Sequence, residues 1–217
     1  MRRNGIILVL FLWVTLVPIV ALSATEADVL DNVGEKIAQH PVIRAEFIQT
    51  KKMQALTRPL ITTGQLTYSR SHGVLWQIFQ PFHVSYVLGE DKIIEIDANG
   101  LRKEKVLREV PGLAQIGKVF RAMLGADAST LHSYFDVSAQ GDTGKWQLIL
   151  KPRQQQVSKS LLLIELSGSQ FVETIVMNEA RGDTTTIAFR KTQGAKALSD
   201  SESQLFGTPA LNKQATP

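Results

Sequence analysis

The chain has 217 residues, 44% of them apolar and 20% charged, and no cysteine. That is enough chain for one ordinary domain. It excludes a disordered chain, a disulfide scaffold, thiolate zinc sites, iron–sulfur clusters and cysteine nucleophiles. Lys plus Arg number 24 against 20 acidic residues, a net charge of +4, which is too small and too scattered to argue for a nucleic-acid partner.

At the N-terminus, Arg2 and Arg3 precede an apolar run from Ile6 to Val20, and small residues follow at Ala21, Ser23 and Ala24. This is the pattern of a cleavable secretory signal peptide over residues 1–24. The run is short for a membrane span, which needs about 20 apolar residues. Cleavage near Ala24 removes two arginines and leaves 22 basic against 20 acidic residues, a net +2. The expected address is the periplasm. The rest divides into one domain over 25–193 and a polar C-terminal extension over 194–217, partly disordered and with a possible helical turn near Leu205 and Phe206.

Residues 26–39 read as a helix, with Ala27, Leu30, Val33 and Ile37 at helical spacing, ended by His40-Pro41. From Val42 the period changes to two, as Ile43, Ala45 and Phe47 alternate with Arg44 and Glu46. Further strands are expected at 60–68, 74–79, 82–88, 92–97 and 101–107. Asp97-Ala98-Asn99-Gly100 supplies a hairpin turn. The alternation then breaks. After Pro111-Gly112, residues Leu113, Ile116, Val119, Phe120, Met123 and Leu124 fall at helical spacing and stop at Gly125. A shorter helical stretch covers 127–132. Strands resume at 134–139, 146–151, 161–166, 171–177 and 184–190, separated by glycine-containing turns.

About eleven short strands at hairpin spacing predict a mainly β protein: a single antiparallel curved sheet forming an incomplete barrel. The N-terminal helix and the helical insert are its lids. Such a sheet must cover its apolar face. Two helical segments leave room for an apolar cavity, although periodicity alone fits a filled core equally well.

No polar motif offers chemistry. His40, His72, His83 and His132 lack metal-ligand spacing, no nucleophile elbow, Walker loop or dinucleotide fingerprint is present, and neither a catalytic residue nor a metal or cofactor site is expected. Asp91, Glu95 and Asp97 raise a metal possibility that turn chemistry and a solvated strand explain better. Arg102, Lys103, Lys105 and Arg108 are interleaved with Glu104 and Glu109, as on a solvated strand, and offer at most a docking surface for anionic groups. The apolar face is therefore the informative one. Alternation assigns it Phe47, Leu66, Tyr68, Trp76, Tyr86, Ile94, Ile96, Leu148, Leu150, Leu162, Ile164 and Phe189. At ~0.8 kcal/mol per methylene, a C16 chain in such a lining carries roughly 10 kcal/mol of gross transfer drive.

Three segments carry a resemblance. They are Ala45-Glu46-Phe47-Ile48-Gln49, Gly64-x-Leu66, and Arg70 followed six residues later by Trp76. With Tyr86 to Lys92 and Trp146 to Pro152 following in order, the chain resembles the LolA-like lipoprotein carriers over about 26–193. The resemblance implies an eleven-stranded half-barrel whose apolar cavity holds lipoprotein acyl chains. It also implies an arginine that hydrogen-bonds a lid and switches the cavity, for which the counterpart here is Arg70. Ser71 stands where that motif has proline, and the usual C-terminal ending is replaced by a loose echo at Gly207-Thr208-Pro209.

The expected function is a monomeric periplasmic carrier that is not an enzyme. It would move a lipoprotein or related acylated cargo from an inner-membrane exporter to an outer-membrane acceptor. The alternatives are a carrier of a free lipid, glycolipid or lipidated pigment, and a periplasmic sensor of lipids or misplaced proteins.

Overall fold

The computed structural model describes residues 26–90, 92–106 and 119–207. The expected signal peptide over 1–24, Leu113 and Ile116 of the insert, Asp91, Arg108 and the last ten residues lie outside the described residues.

Helix α1 (Glu26–Ala38) forms where the sequence places apolar residues on one stripe. Val29, Leu30, Val33 and Ile37 are all buried. Gly34 lies on the same helix, where an added Cβ would come within 2.7 Å of the Ala126 carbonyl. Only glycine permits that approach. Helix α2 is described over 119–125. Helix α3 (Ala128–Tyr134) starts at Asp127, whose carboxylate accepts from the Thr130 backbone N–H at 3.2 Å and from its hydroxyl at 2.7 Å. No described helix is long and apolar enough to cross a membrane.

Eleven strands follow the alternating segments. The first six are β1 (Val42–Lys52), β2 (Leu60–Ser69), β3 (Gly73–Gln80), β4 (Val84–Leu88), β5 (Lys92–Asp97) and β6 (Arg102–Val106). After α2 and α3 come β7 (Phe135–Asp142), β8 (Lys145–Pro152), the short helix α4 (Gln155–Ser158), β9 (Leu161–Gly168), β10 (Val172–Glu179) and β11 (Thr184–Ala195). They make one antiparallel sheet in the order β6-β5-β4-β3-β2-β1-β11-β10-β9-β8-β7. The sheet is not closed, because β6 and β7 are its two edges. The eleven-stranded expectation is met.

The C-terminal part is more structured than its composition predicts. Strand β11 runs to Ala195, two residues past the boundary drawn at 193, and helix α5 (Asp200–Phe206) follows. Ser199 and Glu202 form a reciprocal capping box at its start.

One face of the sheet, here the inner face, carries the main core. Its members include Phe47, Leu66, Trp76, Trp146, Leu148, Leu150, Ile164, Leu166, Ile175 and Phe189, packed with the buried residues of α1, α2 and α3. A second, smaller core lies on the outer face, where Leu75, Val87, Ile94 and Ile96 pack under Leu205 and Phe206 of α5.

Candidate functional site

The inner face is filled unevenly. Helices α1 and α3 cover the wing formed by β7 to β10. There Leu131, Leu148, Leu150, Leu166 and Ile175 have essentially no exposed surface. Toward the middle, beneath Leu124, the residual hollow is about 10 Å³, at the limit for a single water. On the other wing the described residues leave a groove of about 350 Å³ between α2 and the strands β3 to β6. That volume lies at the low end of small-molecule sites, which span roughly 300–1,000 Å³.

An aromatic cluster forms one wall. Gly64 faces Phe47 across the β1–β2 pair, and an added Cβ there would come within 2.8 Å of the Phe47 ring. The missing side chain lets that ring settle onto Trp76, with centroids 3.7 Å apart and planes 24° from parallel. Phe120 of α2 meets Trp76 edge-on at 5.5 Å, and Phe189 does so at 6.4 Å.

Strand register sets the other walls. Trp76 opposes Tyr86, Leu88 opposes Ile93, and Tyr86 opposes Glu95. Opposed residues point to the same side of a sheet. Beyond them Ile93 opposes Lys105 and Glu95 opposes Lys103. The groove is thus lined by Trp76, Tyr86, Leu88, Ile93 and Phe120, with Glu95, Lys103 and Lys105 on the side of the edge strand. Burial, then the Glu95 charge, pushes the Tyr86 phenol up, so it stays neutral and able to donate. Two ammonium groups against one carboxylate leave this wall net positive. An apolar floor with a cationic margin can take a hydrocarbon chain that ends in an anionic group.

The twelve face residues expected from alternation do not share one environment. Trp76 and Tyr86 line the groove. Phe47, Leu66, Leu148, Leu150, Ile164 and Phe189 are buried in the inner core, with Tyr68 packed against it. Ile94 and Ile96 are corrections. The register that sets Tyr86 against Glu95 turns them to the outer face, under α5. Their strand has apolar residues at consecutive positions, so alternation could not choose the face. Leu162 is a third correction, at 55% exposed. The β9–β10 register pairs Leu163 with Asn178 and Leu161 with Glu179, leaving Leu162 unopposed in a bulge. The inward role passes to Leu161, which packs on the core.

Sequence reading missed Leu88 and Ile93, and it singled out Glu95, Lys103 and Lys105 without placing them on the groove. Lys103 and Lys105 were readable as a same-face pair, two apart on a strand, but nothing local says which face is the inner one. Of the insert residues, Met123 and Leu124 are buried in the core, and Val119 and Phe120 are half-buried against it. Phe120 also reaches the groove.

Arg70 sits in the β2–β3 turn, away from the groove walls. Its guanidinium donates to the Ala38 carbonyl at the C-terminus of α1, and its backbone N–H donates to the Pro41 carbonyl at 3.0 Å. A cation at a helix C-terminus is favourable by charge as well as by hydrogen bonding. In the same turn the His72 Nδ1 lies 3.1 Å from the Ser69 hydroxyl and 2.9 Å from that of Ser71. No carboxylate among the described residues orients the ring, so the trio is turn structure and not a charge-relay arrangement. No group of three or more His, Asp or Glu side chains among the described residues could hold a metal ion.

A family profile described as "Outer membrane lipoprotein carrier protein LolA-like" matches residues 21–203. Solved structures with similar folds include a LolA superfamily protein from Nitrosomonas europaea, 9% identical, covering 82% of this chain and 97% of that one at a TM-score of 0.47. A putative outer membrane lipoprotein-sorting protein domain from Vibrio parahaemolyticus is 10% identical, with coverages of 84% and 99% and a TM-score of 0.44. The MucA/MucB complex of Pseudomonas aeruginosa matches at 13% identity, with coverages of 80% and 58% and a TM-score of 0.43. Comparison with curated proteins gives no significant match.

Proposed function

We propose that this chain, which belongs to the LolA-like outer membrane lipoprotein carrier family, is a periplasmic carrier that shelters an acyl chain of a lipoprotein in the groove between α2 and β3 to β6. The observation that carries this reading is the groove itself, apolar on Trp76, Tyr86, Leu88, Ile93 and Phe120 and left open by the described residues where the other wing is closely packed. Residues 1–24 serve as the export signal. The cargo comes from an inner-membrane exporter and passes to an outer-membrane acceptor that binds it more tightly. No bond is made or broken. The protein's work is to keep hydrocarbon out of water, at ~0.8 kcal/mol per methylene, less the cost of ordering the chain.

A second reading, a carrier of a free single-chain anionic lipid, draws support from Lys103 and Lys105 on the groove margin and from the modest volume. Native mass spectrometry of the protein isolated from its own periplasm separates the two, since acylated protein supports the first and free lipid the second. Uptake of a fluorescent fatty-acid probe tests what they share. Leu88→Trp fills the groove and is expected to abolish uptake while leaving the circular dichroism spectrum unchanged. Unaltered uptake by that variant places the binding site elsewhere and sinks both readings.

A further inference from the structure

Seven large apolar side chains stand exposed among the described residues, and all seven lie toward one end of the sheet. At that end β1 runs out into β2, β3 into β4, β5 into β6 and β10 into β11. Leu56, Leu60 and Ile61 belong to the β1–β2 hairpin, and Phe79 and Phe82 to the neighbouring β3–β4 hairpin. Leu101 and Leu162 extend the rim on either side. The opposite end, with the β2–β3, β4–β5, β7–β8 and β9–β10 turns, has no exposed large apolar residue among those described. Scattered apolar surface needs no explanation, but confinement to one rim does.

The same rim is cationic. Lys52, Arg58, Lys159 and Arg181 are exposed and have no acidic partner among the described residues. Of the acidic groups close to them, one is in an ion pair and the other, bonded to a backbone N–H, keeps its charge, so the cations are in excess. Glu179 pairs with Lys51 at 2.9 Å, and Asp183 accepts from the Gln54 backbone N–H at 3.0 Å. That last bond, with Gly182 against the Gln54 side chain, holds the β1–β2 and β10–β11 tips together as one surface. Two phenylalanines and branched aliphatics at hairpin tips, flanked by unpaired Lys and Arg, have the composition of an interfacial anchor. The rings enter the acyl boundary while the cations rest among anionic headgroups.

We infer that this rim docks the protein on anionic phospholipid bilayers, placing the carrier at the membrane surface between cargo transfers. The docking surface is separate from the groove and would stand even if the groove's cargo were misassigned.

The test is flotation of the chain lacking residues 1–24 with vesicles of phosphatidylethanolamine and phosphatidylglycerol, compared with vesicles of phosphatidylcholine alone. Binding is expected to the anionic vesicles and to fall steeply between 50 and 500 mM salt, values chosen to bracket the screening range. Phe82→Ser with Leu60→Ser is expected to weaken it about tenfold or more. Lys52→Gln with Arg58→Gln should weaken it by roughly fivefold per cation. All four side chains are exposed, so the thermal midpoint should hold. Leu88→Trp should bind vesicles like the unaltered chain, which separates failure of this inference from failure of the groove assignment. Equal flotation with neutral vesicles, or no loss in the Phe82 and Lys52 variants, overturns the inference. So does concentration-dependent self-association that Phe82→Ser removes in the absence of vesicle binding, which would make the rim a contact between copies of this chain.

Discussion

The two wings of the sheet are built from the same kind of strand and are finished in opposite ways. On the β7 to β10 wing the inner face is sealed by α1 and α3, and Leu148, Leu150 and Leu166 are wholly buried. On the β3 to β6 wing the inner face keeps a groove of about 350 Å³, and it is the outer face that receives a helix, α5, over Leu75, Val87, Ile94 and Ile96. Burial under α5 gives β3, β4 and β5 a second apolar contact beside the inner core, to which Val74 and Trp76 of the same wing belong. The main core spans both wings but closes over the inner face on only one of them, as far as the described residues go.

The largest expected effect tests that division. Leu150→Ala on the sealed wing should cost about 2–5 kcal/mol in urea unfolding, the range for a buried leucine that leaves a cavity. Leu88→Ala on the groove wing should cost under about 1 kcal/mol and act on acyl-probe binding instead. Equal losses would dissolve the distinction between the wings.

The next effect concerns how α5 is held. The Glu202 carboxylate accepts from Arg44 at 2.6 and 2.5 Å, from Thr67 at 2.9 Å and from the Ser199 backbone N–H at 2.6 Å. Burial opposes its ionisation, but these donors outweigh burial and hold its pKa down at about 2, against an ordinary 4.5. A folded-state value below the unfolded one means the contribution is fully present above about pH 4.5 and is lost as pH falls through about 2. Hydrogen exchange of the α5 amides should therefore stay slow from pH 7 to pH 5 and accelerate, beyond the intrinsic pH trend, toward pH 2. Glu202→Ala should release α5 at neutral pH and cost about 1–3 kcal/mol. Protected α5 amides in that variant would show that Leu205 and Phe206 suffice to dock the helix.

Arg70→Leu should be milder. It removes the cation from the C-terminus of α1 and should lower stability by about 0.3–1 kcal/mol, read from the thermal midpoint. If Arg70 also governs how α1 closes the inner face, acyl-probe release rates will change by more than that stability loss explains. A release rate identical to that of the unaltered protein would leave it a helix-capping residue alone.

The smallest expected effect is charge selectivity. Lys103→Gln with Lys105→Gln should reduce the preference for a fatty acid over its methyl ester by roughly two- to fivefold, as for exposed ion pairs of 0.2–1 kcal/mol. Stability should not change. An undiminished preference would remove the cationic margin from the recognition of cargo.

Strand count, the N-terminal helix and the antiparallel meander were legible because each depends on a local period. Val42 to Lys52 alternates clearly and Glu26 to Ala38 carries one apolar stripe. Ile93-Ile94 and Leu161-Leu162-Leu163 were not legible, because a run of adjacent apolar residues fits either face. The choice in the first was made by register with β4 and in the second by a bulge against β10. The groove residues Lys103 and Lys105 were obscured for a related reason. A lysine on an edge strand reads as solvated until the neighbouring strand shows which side it shares.

The sequence by itself therefore determined the elements, their antiparallel order and the apolar character of one face, since these follow from spacing along the chain. Only the tertiary structure decided which wing is filled, which strand is buried on both faces and where the apolar side chains are left exposed. Those outcomes depend on which helix lands on which face, and contacts such as Arg44 with Glu202, 158 residues apart, leave no trace in a local pattern.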